Sequence, residues 1–189
     1  MTEKQAFQWS SAGRSHVGMV RAINEDACLV LPEVGLWTVA DGMGGHEAGD
    51  IASQMIVETL QRIVPPNDWE EFLSSVREGL KDVNRRLREE SAQRYHNRTI
   101  GSTVVVLLLH GAHCACLWVG DSRIYRLQNG QLQQLTRDHS HVQELVDQGL
   151  IASEDAHRHP LANVITRAVG SAEELAIDEA VYPLQAGDM

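Results

Sequence analysis

No apolar run in the chain reaches 18 residues, which excludes an obvious membrane-spanning helix. The N-terminus, Met1-Thr2-Glu3-Lys4-Gln5, is polar and does not read as a secretory signal. Cysteine is scarce: Cys28, Cys114 and Cys116 form no CxxC pair, and their odd number argues against a disulfide framework. A reducing cytoplasm is the expected compartment. Cys114 and Cys116 have strand spacing and suit apolar packing on one face better than zinc binding. Basic residues are in the minority, 16 against 26 acidic, giving a formal charge of −10. That balance argues against nucleic acid or an anionic membrane as the main partner, and is compatible with divalent cations held by carboxylates. There is no internal repeat and no low-complexity segment.

What is present is ordinary globular composition, 43% hydrophobic and 22% charged, over 189 residues. One domain spanning residues 1–189 is expected, long enough to bury a core. The stretch Leu36-Trp37-Thr38-Val39-Ala40 reads as a buried strand that ends in Asp41 and a glycine-rich turn, Gly42-Met43-Gly44-Gly45-His46. A carboxylate where a strand gives way to a loop is well placed for a site, and the glycines allow close backbone approach to a ligand. The competing reading is a tight turn with Asp41 as a helix cap. Glu25 and Asp26 are adjacent and would point to opposite faces of a strand, so by themselves they read as a solvated polar turn.

The pattern of elements indicates α+β. Phe7–Gly13 alternates weakly, as a first strand would, and Cys28–Leu31 reads as a strand stopped by Pro32. Glu47–Val64 has helical spacing, and Asp68 with Glu71 starts a second helix whose apolar face carries Phe72, Leu73, Val76, Leu80, Val83 and Leu87. Two helices joined by a short loop suggest an antiparallel pair. Thr103–Leu109 reads as a strand covered on both faces, followed by a strand at Cys114–Gly120. Asn129-Gly130 marks a hairpin. His139–Gly149 reads as a short helix, and Ile165–Val169 and Ile177–Pro183 as strands. His139, His141, His157 and His159 imitate a metal cluster by spacing but read as exposed loop residues.

Six motifs occur in order: Arg21…Asn24-Glu25-Asp26; Asp41-Gly42-Met43-Gly44-Gly45-His46; Gly101-Ser102-Thr103; Val119-Gly120-Asp121-Ser122-Arg123; Leu135-Thr136-Arg137-Asp138-His139-Ser140; and Ile165-Thr166-Arg167-Ala168-Val169-Gly170. Together they make the chain resemble the metal-dependent protein phosphatases (PPM family, type 2C serine/threonine phosphatases), most closely the bacterial branch. The resemblance implies a sandwich of two antiparallel sheets flanked by antiparallel helix pairs, a four-layer αββα arrangement. It implies two Mg²⁺ or Mn²⁺ ions bridged by Asp41, with the carbonyl of Gly42 on the second. It implies metal-bound waters held by Glu25 and Asp26, a third, weaker metal site at Asp121, and substrate phosphate on Arg21. His46 is a candidate general acid, although the family position that carries such a histidine in eukaryotic members here reads Met43. The segment from about His139 to Arg167 corresponds to a flap beside the site. The implied activity is hydrolysis of phosphoserine and phosphothreonine by a metal-bridged water, opposing a bacterial Ser/Thr kinase.

The chemistry agrees with the residues. A phosphomonoester dianion needs charge neutralisation and a nucleophile at neutral pH, and two ions roughly 3.5–4 Å apart supply both. An arginine fork suits phosphate geometry. No cysteine stands in a Cys-x₅-Arg pattern. The family also implies an Asp-Gly and an Asp-Asn motif beyond the point reached by Met189, and neither is present. The expectation is therefore a domain without its C-terminal strands. A competing reading from another class is a catalytically impaired module that binds phosphoproteins.

Overall fold

Strand Val104–His110 explains the architecture. Its sequence, Val-Val-Val-Leu-Leu-Leu-His, is apolar at nearly every position, so it needs cover on both faces. The computed structural model describes residues 7–44, 48–94 and 99–189 and supplies that cover. In chain order the elements are β1 (Asp26–Leu31), β2 (Leu36–Met43), α1 (Ala48–Gln61), α2 (Trp69–Arg94), β3 (Gly101–Ser102), β4 (Val104–His110), β5 (His113–Val119), β6 (Tyr125–Gln128), β7 (Gln131–Gln134), α3 (His141–Asp147), a 3₁₀ turn (Ser153–Arg158) and β8 (Asp178–Pro183).

The main sheet has the order β1-β2-β4-β5-β8, every neighbour antiparallel, with the short β3 paired to the end of β2. One face packs on α1 and α2. There Leu36, Ala40, Val104, Val106, Leu108, Ala115 and Leu117 meet Ile56, Leu60, Phe72, Leu73, Leu80 and Leu87. The residues between them point the other way, where Val105, Cys116 and Trp118 form a smaller cluster with Leu135, Ile124 and Tyr182. The hairpin β6–β7 is a second, two-stranded sheet. Its turn, Asn129 (φ 50°) and Gly130 (φ 77°), has the left-handed pair that a two-residue hairpin requires. The fold is α+β with antiparallel sheets and flanking helices, as expected. Among the described residues the helix pair covers the first sheet and the second sheet is this hairpin alone.

Helix α2 begins as its sequence indicates, with Asp68 Oδ1 accepting the Glu71 N–H at 2.9 Å. Its solvent face carries ion pairs such as Arg85–Asp82 and Arg85–Glu89. Two expected strands are not formed. Residues 7–13 run irregularly, with Trp9 donating from Nε1 to the Pro32 carbonyl. Residues 165–169 make only isolated bridges, Ile165 to Ser140 and Val169 to Ser102. Both segments are held by scattered hydrogen bonds and ring contacts instead of a continuous ladder, and their short apolar runs do not distinguish that from strand pairing.

Candidate active site

The β1–β2 register sets Asp26 directly opposite Asp41, so both side chains emerge on one face of the sheet. Strand β2 runs past Asp41 to Met43, three residues further than the apolar pattern suggests. Asp41 is thus a strand residue and not a helix cap. Its carbonyl accepts the Thr103 N–H at 2.9 Å, and the Gly42 N–H donates to the Glu25 carbonyl at 3.0 Å. Gly42 lies so close to the start of α1 that an added Cβ would overlap the Gly49 carbonyl. A Cβ on Gly49 would in turn overlap Glu25 Oε1. These two glycines press strand, helix and Glu25 together.

The result is a hollow of about 220 Å³ whose lining includes Arg21, Asn24, Glu25, Asp26, Asp41 and Gly42. Asp121 approaches the Asp41 carboxylate from the turn after β5. The Asp41 residue is open to solvent, and its carboxylate is only partly desolvated where it lines the hollow. Desolvation first, then Asp26, Asp121 and Glu25, push its pKa up to about 6. Burial likewise raises Asp121, with Asp138 adding repulsion. Asp26 and Asp41 face each other across the β1–β2 ladder, so their carboxylates repel one another. Glu25 Oε1 is buried with no hydrogen-bond partner, while Oε2 lies 3.5 Å from Arg21 Nη1. Arg21 stands at the rim with its side chain 76% exposed.

Hard oxygen donors, one of them buried and unpartnered, and carboxylates that repel one another fit a hard divalent cation. Among the described residues no group of three or more histidine, cysteine, aspartate or glutamate side chains stands close enough together to hold a metal ion by itself. The arrangement is an open acidic rim, suited to ions such as Mg²⁺ or Mn²⁺ that keep several waters.

Asp41, Gly42, Glu25, Asp26, Arg21 and Asp121 are therefore brought together. His46 lies outside the described residues. A larger hollow of about 630 Å³ opens beyond Asp121, lined by Arg123, Asp138, Ser140, Gln143, His157 and Asn163 among others. Arg123 grips Asp138 there through Nε–Oδ1 at 2.9 Å and Nη2–Oδ2 at 2.6 Å. The expectation of exposed loop histidines fails for His139, which is 7% exposed and stacked on Trp118. His157 does stand exposed, and His141 and His159 are half-buried. Spacing alone could not reveal the burial of His139, because its cover comes from β5 and β8, 20 to 40 positions away in the chain. Also missed was Asn84 inside α2. Its amide donates to the Ala172 carbonyl at 2.9 Å and its Oδ1 accepts the Gly170 N–H at 2.7 Å, pinning the loop that leads into β8.

Residues 12–177 match the family described as protein phosphatase 2C. The chain is 36% identical over 158 residues to the serine/threonine protein phosphatase PstP of Mycobacterium tuberculosis, covering 84% of this chain and 30% of that protein. It therefore spans less than a third of that relative's length. Among solved structures, "PppA, a key regulatory component of T6SS in Pseudomonas aeruginosa" superposes with a TM-score of 0.84 at 49% identity, covering 93% of this chain and 72% of that one. The catalytic domain of the serine threonine protein phosphatase PstP in complex with 2 manganese ions superposes with a TM-score of 0.77 at 34% identity, covering 93% and 72%. With the acidic hollow at the end of an antiparallel sheet and a family match over most of its length, this chain belongs to the protein phosphatase 2C family.

Proposed function

We propose that this chain is a single domain, residues 1–189, of a bacterial serine/threonine protein phosphatase that hydrolyses phosphoserine and phosphothreonine in proteins. The observation that carries the reading is the convergence of Asp26, Asp41 and Asp121 beside the unpartnered Glu25 Oε1, with Arg21 at the rim. In this reading Asp41 and the Gly42 carbonyl hold Mg²⁺ or Mn²⁺, two ions in all, and Asp121 contributes to a third. When bound, such ions neutralise a phosphate dianion and acidify water. Glu25 and Asp26 orient the water around them. Arg21 reaches from the rim to clamp a phosphate oxygen, its fork free to turn because most of it is in solvent. The exposed mouth of the hollow admits a side chain presented by a folded protein or peptide.

The likeness to a manganese-bound relative supports the choice of metal. The likeness to a key regulatory component of T6SS supports a regulatory role, and a hydrolase for phosphoserine and phosphothreonine would oppose a Ser/Thr kinase. Among the described residues no helix is long and apolar enough to cross a membrane, and all three cysteines are free, which supports a cytoplasmic setting.

The test is Mn²⁺-dependent hydrolysis of a phosphothreonine peptide, with Asp41→Asn as control. Metal-dependent turnover abolished in Asp41→Asn supports the reading. A folded chain that binds the peptide but never turns it over would overturn hydrolysis by this chain.

A further inference from the structure

His139 lies outside the acidic hollow, yet three other segments of the chain meet on it. Its backbone N–H donates to the Gly120 carbonyl at 2.9 Å, and the Gly120 N–H donates back to His139 Nδ1 at 3.0 Å. The His139 carbonyl accepts the Thr166 N–H at 2.8 Å. On the other side of the ring, Nε2 lies 3.3 Å from Asp178 Oδ2 at the start of β8. Arg167 Nη1 stands 3.4 Å from Nε2 and donates to Asp178 Oδ1 at 2.7 Å. The Gly120 donor fixes the tautomer. Nδ1 must be bare to accept, so the proton sits on Nε2, where Asp178 receives it. Burial lowers the pKa of His139, which favours this neutral ring.

Gly120 is the residue before Asp121. It adopts φ 107°, and a Cβ there would lie 2.5 Å from Thr103 Cβ. The turn is therefore held from both sides, by Thr103 on one and His139 on the other. Thr103 also donates its N–H to the Asp41 carbonyl and shares a 2.6 Å hydrogen bond with Ser122 Oγ. One connected frame thus sets Asp121 relative to Asp41. In that frame, among the described residues, the imidazole is the one side-chain acceptor of the Gly120 amide.

We propose that His139 is a positioning residue that aims the Asp121 carboxylate at Asp41, acting through the Gly120 amide. It lines neither of the two hollows beside the acids. The aim of Asp121 matters for a cation only if the proposed metal role of Asp121 holds. The state of the Gly120 amide does not depend on that role.

Two isosteres separate this role from simple packing on Trp118. In His139→Asn the side-chain Oδ1 can stand where Nδ1 stands, whereas His139→Gln reaches toward Asp178 and leaves the Gly120 amide bare. Both lose the ring. The expected result is that His139→Asn keeps the Gly120 amide slow to exchange and Mn²⁺ affinity within about 3-fold of the parent. His139→Gln should lose the protection and weaken Mn²⁺ binding by about 10- to 100-fold, the usual effect of removing an outer partner of a metal site. Equal Gly120 protection in the two variants would overturn the proposal. Loss of Gly120 protection with unchanged Mn²⁺ binding would keep the hydrogen bond but overturn its link to the cation. The parent protein provides a test that needs no variant: ¹⁵N NMR of the imidazole should show Nδ1 bare and Nε2 protonated. The opposite tautomer would overturn the proposal even if a variant failed to fold.

Discussion

At the residue scale the site is built from repulsion held in place. Asp41 titrates near 6 instead of in the ordinary carboxylate range, so the folded chain holds its proton where the unfolded chain has released it. The sign follows from linkage: stability falls as pH rises from about 4 to about 6, and the penalty is complete above that window. Thermal unfolding of the metal-free chain should therefore show a melting temperature that declines across this range. Asp41→Asn should flatten the decline, and identical slopes would refute the assignment. Gly42 offers a steric counterpart. Its Cβ would strike the Gly49 carbonyl, which is backbone and cannot swing away. Gly42→Ala should cost about 1–3 kcal/mol in denaturant unfolding, in line with overpacked positions. Much of this was legible beforehand, because Asp41, Gly42, Asp26 and Asp121 lie in ordered motifs. What was not legible was the role of residues whose meaning is purely spatial. His139 and Asn84 have no periodic signature, since their partners lie 19 to 89 positions away.

At the scale of elements, the helices and central strands followed from pattern. The apolar spacing of α2, its Asp68 cap and the Asn129-Gly130 turn each specify local geometry that nothing in the tertiary structure opposes. Strand ends were less readable. The extension of β2 through Asp41 to Met43 depends on pairing with β1 and β3, and its sequence there is acid and glycine. Residues 165–169 look like a strand but make only isolated bridges. The loop that follows is secured from α2 by Asn84. Replacing Asn84 with Leu removes the acceptor for the buried Gly170 amide and should cost about 1–3 kcal/mol. Hydrogen exchange should show the loss concentrated at 168–175, and a uniform loss would argue for a global packing defect instead.

At the scale of the molecule, an acidic chain with its densest repulsion at one sheet end should gain stability from the ion that relieves it. Saturation at about 100 times the dissociation constant adds about 2.7 kcal/mol. A chain of this size should then melt several degrees higher in Mn²⁺, and K⁺ at matched ionic strength should not reproduce the shift. The β1–β2 hairpin gives this a kinetic side. Its turn at residues 32–35 is one end of a zipper, and the Asp26–Asp41 pair is the last tooth at the other. Zipping from the turn reaches the two carboxylates after the other pairs have formed, so their repulsion opposes only the final step. A cation at that end acts as a clasp. It should lengthen the life of the closed hairpin, slowing unfolding and amide exchange near Ala40, while leaving the refolding rate nearly unchanged. Stopped-flow unfolding and refolding with and without Mn²⁺ would separate the two, and a refolding rate that rose with the ion would move the acids to the start of folding.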